Sequence, residues 1–417
     1  MKNQTMLGKN SLLENFKPFL PYGVLESWDD LNPRLYHAIH IYWLKFYGLY
    51  YISYSPYNVI FWLRLLYAII VLWLVCFLPG IGEVVYLLKR RDDIGDVAEG
   101  LYLFLSEMYT YVKIAAFWIN KDKVLALLNF LHCEEFKPRE VEHQDMLINC
   151  IRRARFIMTA YSIMCVGAVS VGIIMPLTEN FEILPTNVEY PFFDVYKSPI
   201  YELLYIHHIY YKPATCIIDG VMDTILASFI ICALGQIEIL SFNLKKVREV
   251  AGRRRKRDIA KGRDVHDSEY YIKDILRDCV IHHNSIIRYV SMLEGAFSLA
   301  SALQFMLSAM VLCLVGVQFL SIENPSSHPM QIMWMAIYLS CMLTEVFILC
   351  WFGNELIWKA AVATMVYCAI YLKIFRERCQ RPLKVTAGKI FTLSLVTYTI
   401  LINWSYKAFA LMNNMKK

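Results

Sequence analysis

The sequence predicts an all-α membrane protein of seven transmembrane helices, with its N-terminus in the cytoplasm and its C-terminus outside the cell. Three observations carry this expectation. Hydrophobic residues make up 57% and charged residues only 19% of the 417 positions, with a mean hydropathy of +0.40, which is more apolar and less charged than a soluble domain. Seven segments each hold about 20 mostly apolar residues, enough for a helix to cross a hydrocarbon core ~30 Å thick, and in lipid only a helix satisfies its own backbone at that length. Lys and Arg concentrate in alternate connections between those segments.

Taken in chain order, residues 1–56 contain no uninterrupted apolar core of the kind a cleavable signal peptide needs, so the first span serves as the insertion signal. That span covers residues 59–81, and its Arg64 is close enough to the inner end to snorkel to the interface. The second, 97–119, carries Glu99, Glu107 and Lys113 and is the least apolar. Spans three (156–178) and five (296–320) carry no charge. The fourth (214–239) holds Asp219 and Asp223 one helical turn apart, and the sixth (330–352) holds Glu345. Ionisable groups at this depth are costly, and either mutual pairing between helices or contact with a ligand or ion accounts for them. The seventh (390–412) is unusually polar, with Thr399, Asn403, Lys407, Leu411 and Met415 following one another at intervals of four. Such a row suits a water-filled pore closed by apolar side chains, although the residues alone favour a helix buried inside a bundle.

Orientation follows from the basic residues, which are retained on the cytoplasmic side. The N-terminal segment and alternate connections hold 32 Lys and Arg, against 7 in the opposite set. Lys89, Arg90 and Arg91 are the discordant cluster, beside Asp92 and Asp93. The run Arg253-Arg254-Arg255-Lys256-Arg257-Asp258 in the longest basic connection fits retention and attraction to anionic inner-leaflet lipid better than nucleic-acid binding.

Several functional classes drop out. No metalloprotease, nucleophile-elbow, phosphate-loop or dinucleotide motif occurs, and the pairs His207 with His208 and His282 with His283 fall in opposite compartments, so no catalytic residue, cofactor or metal ligand is expected. The twelve cysteines follow no metal-like spacing and read as free thiols. A G-protein-coupled receptor would have the opposite orientation, an Asp-Arg-Tyr after span three and an Asn-Pro-x-x-Tyr in span seven, all lacking here. Halves with matching broken helices, the mark of many carriers, are also lacking. The outer halves of the spans hold Tyr102, Leu105, Ser106 and Tyr109 on one face of span two, Tyr210, Tyr211 and Thr215 at the entry to span four, and Trp334 and Tyr338 one turn apart in span six. These residues make either interfacial aromatic belts or the wall of an apolar pocket.

At the C-terminal end the motifs Phe352-Gly353-Asn354-Glu355-Leu356, Arg381-Pro382-Leu383-Lys384-Val385-Thr386-Ala387-Gly388-Lys389, Phe391-Thr392-Leu393-Ser394-Leu395 and Asn403-Trp404-Ser405-Tyr406, with Phe409, Leu411 and the earlier Gly235-Gln236 and Leu240, resemble the insect odorant receptor family. Thr397-Tyr398 leading to Trp404-Ser405 favours it over the sister gustatory receptors. The resemblance implies a tuning subunit of a heterotetrameric, ligand-gated, non-selective cation channel, built with the odorant receptor co-receptor in the dendritic plasma membrane of an olfactory neuron. It implies a volatile hydrophobic ligand held between spans two, three, four and six by Tyr102, Ser106, Tyr109, Ser170, Ile173, Tyr210, Tyr211, Trp334 and Tyr338. It places a pore on Thr399, Asn403 and Lys407, with the gate at Leu411 and Met415. Residues 1–352 would then form the ligand-binding region, 353–389 a cytoplasmic anchor, and 390–417 the pore helix and tail. The segment between Glu355 and Arg381 is shorter than the family pattern, which implies a shortened anchor helix, and Ala363 to Tyr371 match that pattern poorly.

The basic-residue count makes a direct prediction. A tag at the N-terminus should stain only after permeabilisation and a tag at the C-terminus on intact cells; the reverse pattern would remove the orientation.

Overall fold

The computed structural model describes residues 37–50, 59–92, 94–178, 183–263, 266–321, 329–370 and 383–416. They form a helical bundle: α1 (Ala38–Phe46), α2 (Val59–Lys89, with a π-helical turn at Trp73–Phe77), α3 (Ile94–Ile119), α4 (Lys121–Phe130), α5 (Val141–Thr178), α6 (Ile200–Lys245), α7 (Val247–Ala260), α8 (Ser268–Ser321), α9 (Pro329–Ile370), a small hairpin of β1 (Thr386–Ala387) and β2 (Phe391–Thr392), and α10 (Leu395–Lys416). Among the described residues, five helices are long and apolar enough to cross a membrane: α2, α5, α6, α8 and α9. The other two expected spans, α3 and α10, are continuous helices of 26 and 22 residues. Glu107 and Lys113 with several tyrosines lower the hydropathy of α3, and threonines, Asn403 and Lys407 lower that of α10.

The helices overrun the expected spans. At 1.5 Å per residue, the 54 residues of α8 and the 46 of α6 measure roughly 80 and 70 Å, more than twice the hydrocarbon thickness. Their basic ends therefore assemble into a second packed layer beyond the apolar one. α6 is the axle of the bundle, with 83% of its most apolar stretch enclosed by protein, against 22% for α2, whose Ile60, Trp62, Leu63 and Leu66 face outward. The run of α6 from Ile225 to Leu234, apolar except for Ser228, is what such enclosure on all sides requires.

The basic layer is stitched by ion pairs. Arg153 of α5 donates to both oxygens of Glu355 on α9 (2.8 and 2.5 Å), and Lys359 reaches Glu355 at 2.9 Å and also Glu238 of α6. Arg254 bridges Asp274 and Asp278 of α8 at 2.7 Å each, Arg253 reaches Glu142 of α5 at 2.7 Å, and Arg257 binds Glu140. Three members of the basic run expected at a lipid surface are thus engaged with carboxylates of neighbouring segments, an outcome that charge counting along one strand of sequence does not reveal.

The start of the last helix also differs from expectation. Residues 390–394 are not helical: Thr386 pairs with Thr392 and Ala387 with Phe391, across a turn in which Gly388 and Lys389 have φ of +62° and +60°. Gly388 is required twice over, by its positive φ and because a Cβ there would sit 2.8 Å from that of Ala302, while its amide donates to the Ser298 carbonyl of α8 at 2.7 Å. The hydroxyl of Ser394 then accepts the amide of Thr397 and caps α10. The residues of the shortened segment at 371–382 lie outside those described, as do positions 1–36; α9 itself continues to Ile370.

α9 approaches the hairpin exit closely at Gly353, where a Cβ would overlap the Leu393 carbonyl oxygen. Backbone cannot yield there, so Gly353→Ala should destabilise the protein by ~1–3 kcal/mol or more. Gly167, with nothing within 4 Å, should accept Ala without loss. Thermal midpoints of the solubilised protein test the contrast, and equal midpoints for the two variants would refute it.

Candidate ligand cavity and buried charge cluster

Helices α3, α5, α6 and α9, with Pro185 and Thr186 of the connection between α5 and α6, line a cavity of about 130 Å³. Helical periodicity supplies its wall: Cys165, Ala168, Val169 and Gly172 form one stripe of α5, and Lys212, Thr215, Cys216 and Asp219 one stripe of α6. From α9 come Trp334, Tyr338, Met342 and Glu345, and from α3 come Leu103, Ser106, Glu107 and Thr110. Trp334 and Tyr338 stack with centroids 5.5 Å apart, and Tyr102 backs them at 6.2 and 5.4 Å. Gly172 makes room for that stack, since a Cβ would meet the Trp334 indole nitrogen at 2.8 Å.

Beneath the aromatic wall the intramembrane charges converge. The Lys113 ammonium lies 2.7 Å from Asp219, 2.5 Å from Asp223 and 3.2 Å from Glu345, and 3.4 Å from the centre of the Tyr109 ring. Tyr109 donates its hydroxyl hydrogen to Glu345 at 2.6 Å, Thr110 donates to Asp219 at 2.9 Å, and the Gln304 amide of α8 donates to Asp223 at 2.9 Å and Glu345 at 2.6 Å. One network thereby ties α3, α6, α8 and α9. The three carboxylates present oxygens within 4.8 Å of one another, a spacing that suits a metal ion, but the lysine ammonium lies among them. A second pair lies on the cavity's flank: Lys212 contacts Glu107 at 2.5 Å and Glu83 at 3.9 Å.

Of the residues expected to hold a ligand, Ser106, Ile173, Trp334 and Tyr338 line this cavity. Tyr102 packs behind the aromatic pair, and Tyr211 is buried with its hydroxyl 2.9 Å from that of Thr186. Tyr109 turns away into the charge cluster. Ser170 and Tyr210 lie on exposed faces of α5 and α6 and do not line the cavity: each falls off the inward stripe of its helix, and the Ser170 hydroxyl bonds back to the Val166 carbonyl at 2.8 Å. Sequence reasoning passed over Lys212, which lies just outside the expected fourth span and counted there as a connection charge. It also passed over the three cysteines Cys165, Cys216 and Cys341, whereas Thr215, considered there as a wall residue, does line the cavity.

On α10, Thr397, Leu401 and Ser405 are buried, with Ser405 donating to the Ala309 carbonyl of α8 at 3.3 Å and Phe409 seated over Gly316. Thr399, Asn403, Lys407 and Leu411 are all exposed, on the face turned away from the rest of the chain. Met415 belongs to the last turn, outside the residues whose side chains are described.

Removing the one cation from the three-carboxylate cluster leaves buried charge uncompensated. Lys113→Met should cost ~3–5 kcal/mol of stability, and adding Asp219→Asn with Glu345→Gln should restore most of it. A thermal midpoint unchanged by Lys113→Met would rule out a structural role for the network.

Comparison with known proteins places this architecture. The family model described as 7tm Odorant receptor matches residues 93–406. Odorant receptor 46a, isoform A, of Drosophila melanogaster is 21% identical over 359 residues, covering 83% of this chain and 89% of that relative. Odorant receptor Or1 of Anopheles gambiae is 21% identical over 352 residues, covering 79% of this chain and 83% of its own. The insect olfactory receptor OR5 from Machilis hrabei, solved in complex with eugenol, superposes with a TM-score of 0.74 at 17% identity over 92% of this chain and 98% of that one, so the fold is shared. With the family model covering most of its length, the chain belongs to the odorant receptor family and is a membrane receptor.

Proposed function

We propose that the chain is the odorant-tuning subunit of a ligand-gated, non-selective cation channel that forms a heterotetramer with the odorant receptor co-receptor. It crosses the plasma membrane of olfactory neuron dendrites seven times, N-terminus inside, and depolarises the cell when a small volatile hydrophobic molecule binds. The observation that carries this function is the cavity between α3, α5, α6 and α9, lined mainly by apolar and aromatic side chains with a few polar and charged groups, as small-molecule sites are built. The OR5 relative has been solved with a molecule of that kind, eugenol. The open face of α10 supports the channel: Thr399, Asn403 and Lys407 offer a polar path, and Leu411 an apolar constriction that gates by dewetting. Residues 1–352 hold the ligand, 353–389 anchor subunits to one another, and 390–417 line the pore with Met415 beside the gate. Opening requires that the ligand bind the open state more tightly than the closed one, because a ligand shifts an equilibrium only through that difference.

Whole-cell recording tests this directly. Cells expressing the chain with the co-receptor should give a fast cation current to volatile ligands under G-protein block, and cells expressing it alone should not. Within the co-expressed channel, Lys407→Ala should change rectification and divalent block; if both stay fixed, Lys407 does not face the pore.

A further inference from the structure

The cavity is surrounded by more acidic than basic side chains. Around it stand five carboxylates, Asp219, Asp223 and Glu345 on one side and Glu83 and Glu107 on the other, against two ammonium groups, Lys113 and Lys212. Each lysine is already committed: Lys113 to three carboxylates, Lys212 to two. Asp219 lines the cavity with 22% of its side chain accessible, and only its Oδ1 is used by Lys113 and Thr110. Glu345 lines the same space, is 1% exposed as a residue, and its Oε2 has no hydrogen-bond partner. An unpaired carboxylate oxygen shielded from water is costly unless something donates to it. The same cavity is lined by Tyr161, Trp334 and Tyr338, the last two on the helix that carries Glu345, and the faces of such rings attract a cation.

Resting on the ligand-gated function proposed above, we infer that this cavity selects small hydrophobic amines, bound as ammonium ions. The ammonium hydrogens donate to Asp219 and to Glu345 Oε2, and the hydrocarbon part lies on the aromatic pair Trp334 and Tyr338. Alcohols and esters of the same skeleton fill the space without supplying a positive charge, and carboxylic acids add to the surplus of acidic groups. Asp219 and Glu345 are the specificity-determining residues, and the aromatic wall sets the size of the skeleton.

The test uses the full chain with its co-receptor in lipid nanodiscs and four ligands of one skeleton at neutral pH: phenethylamine, phenethyl alcohol, ethylbenzene and phenylacetic acid. Equilibrium binding should favour the amine over the alcohol by about tenfold, the scale of hydrogen bonds to charged groups, with the acid weakest. Asp219→Asn should erase that preference while the alcohol still binds, which certifies a folded cavity; Glu345→Gln should reduce it several-fold. An amine that binds no tighter than the alcohol, or a preference that survives both variants, overturns the amine inference and leaves the receptor function standing. Amine-selective binding without current in the co-expressing cells supports the inference and overturns the channel function. Failure of all four ligands to bind overturns the cavity as the ligand site and the amine inference with it.

Discussion

The structure depends on a single buried lysine. Lipid gives apolar helices no hydrophobic reason to associate, because its tails are as apolar as their side chains, so contact between them relies on packing and polar pairing. Lys113 supplies that pairing at the level of the cavity by meeting carboxylates from α6 and α9 at once, while Gln304 brings in α8. The rotation of α6 about its axis is fixed in consequence. Once Asp219 and Asp223 face Lys113, the stripe Lys212, Thr215 and Cys216 must face the cavity, and the apolar run that follows fills the centre of the bundle. A desolvated network of this kind adds little net stability over an apolar core but penalises every arrangement that separates its members.

The second layer of the bundle works by a different balance. Its ion pairs lie beyond the apolar layer, each worth little alone, yet Arg153 and Lys359 share Glu355 and so join α5, α6 and α9 where α9 leaves the apolar layer. Immediately beside that joint, Gly353 lets the Leu393 backbone approach, and the hairpin hangs on α8 through Gly388 and the Thr386 to Glu294 contact. The last helix is thus attached at its root to two of the four helices that share the Lys113 network, and along its length to α8 through Ser405 and Phe409.

Much of this was legible in the sequence, and the division follows physical range. Hydropathy over about 20 residues marks helices because the bilayer sets that length, and α2, α5, α6, α8 and α9 all stand where it placed them. Glu107, Lys113, Asp219, Asp223 and Glu345 stood out singly because charge is expensive at that depth. Their convergence did not, since it depends on how four helices are rotated about one another. The same limit explains Ser170 and Tyr210: the sequence puts them at the right height, but only packing decides which face of a helix turns inward. Residues 390–394 misled for a local reason, as Ile390 and Phe391 are apolar enough to extend the helical pattern, while the Gly388 turn and the Ser394 cap restart it five residues later.

Cavity and network are not separate devices, because Asp219 and Glu345 belong to both. A ligand that takes up hydrogen-bonding capacity from either one changes what is left for Lys113, Gln304 and Tyr109, whose positions define the spacing of α3, α8 and α9. Rigid helices carry such a change far: a small rotation of α9 at Glu345 is felt two turns away at Gly353, where no Cβ cushions the contact with Leu393. A ligand lacking polar groups meets the Trp334 and Tyr338 wall on the same helix, about two to three turns further from that contact, and leaves the network's partners unchanged. In the channel proposed above, occupancy and opening would be separable on this geometry. The groups that share the lysine, more than the size of the space, set how strongly a bound molecule biases the root of the last helix.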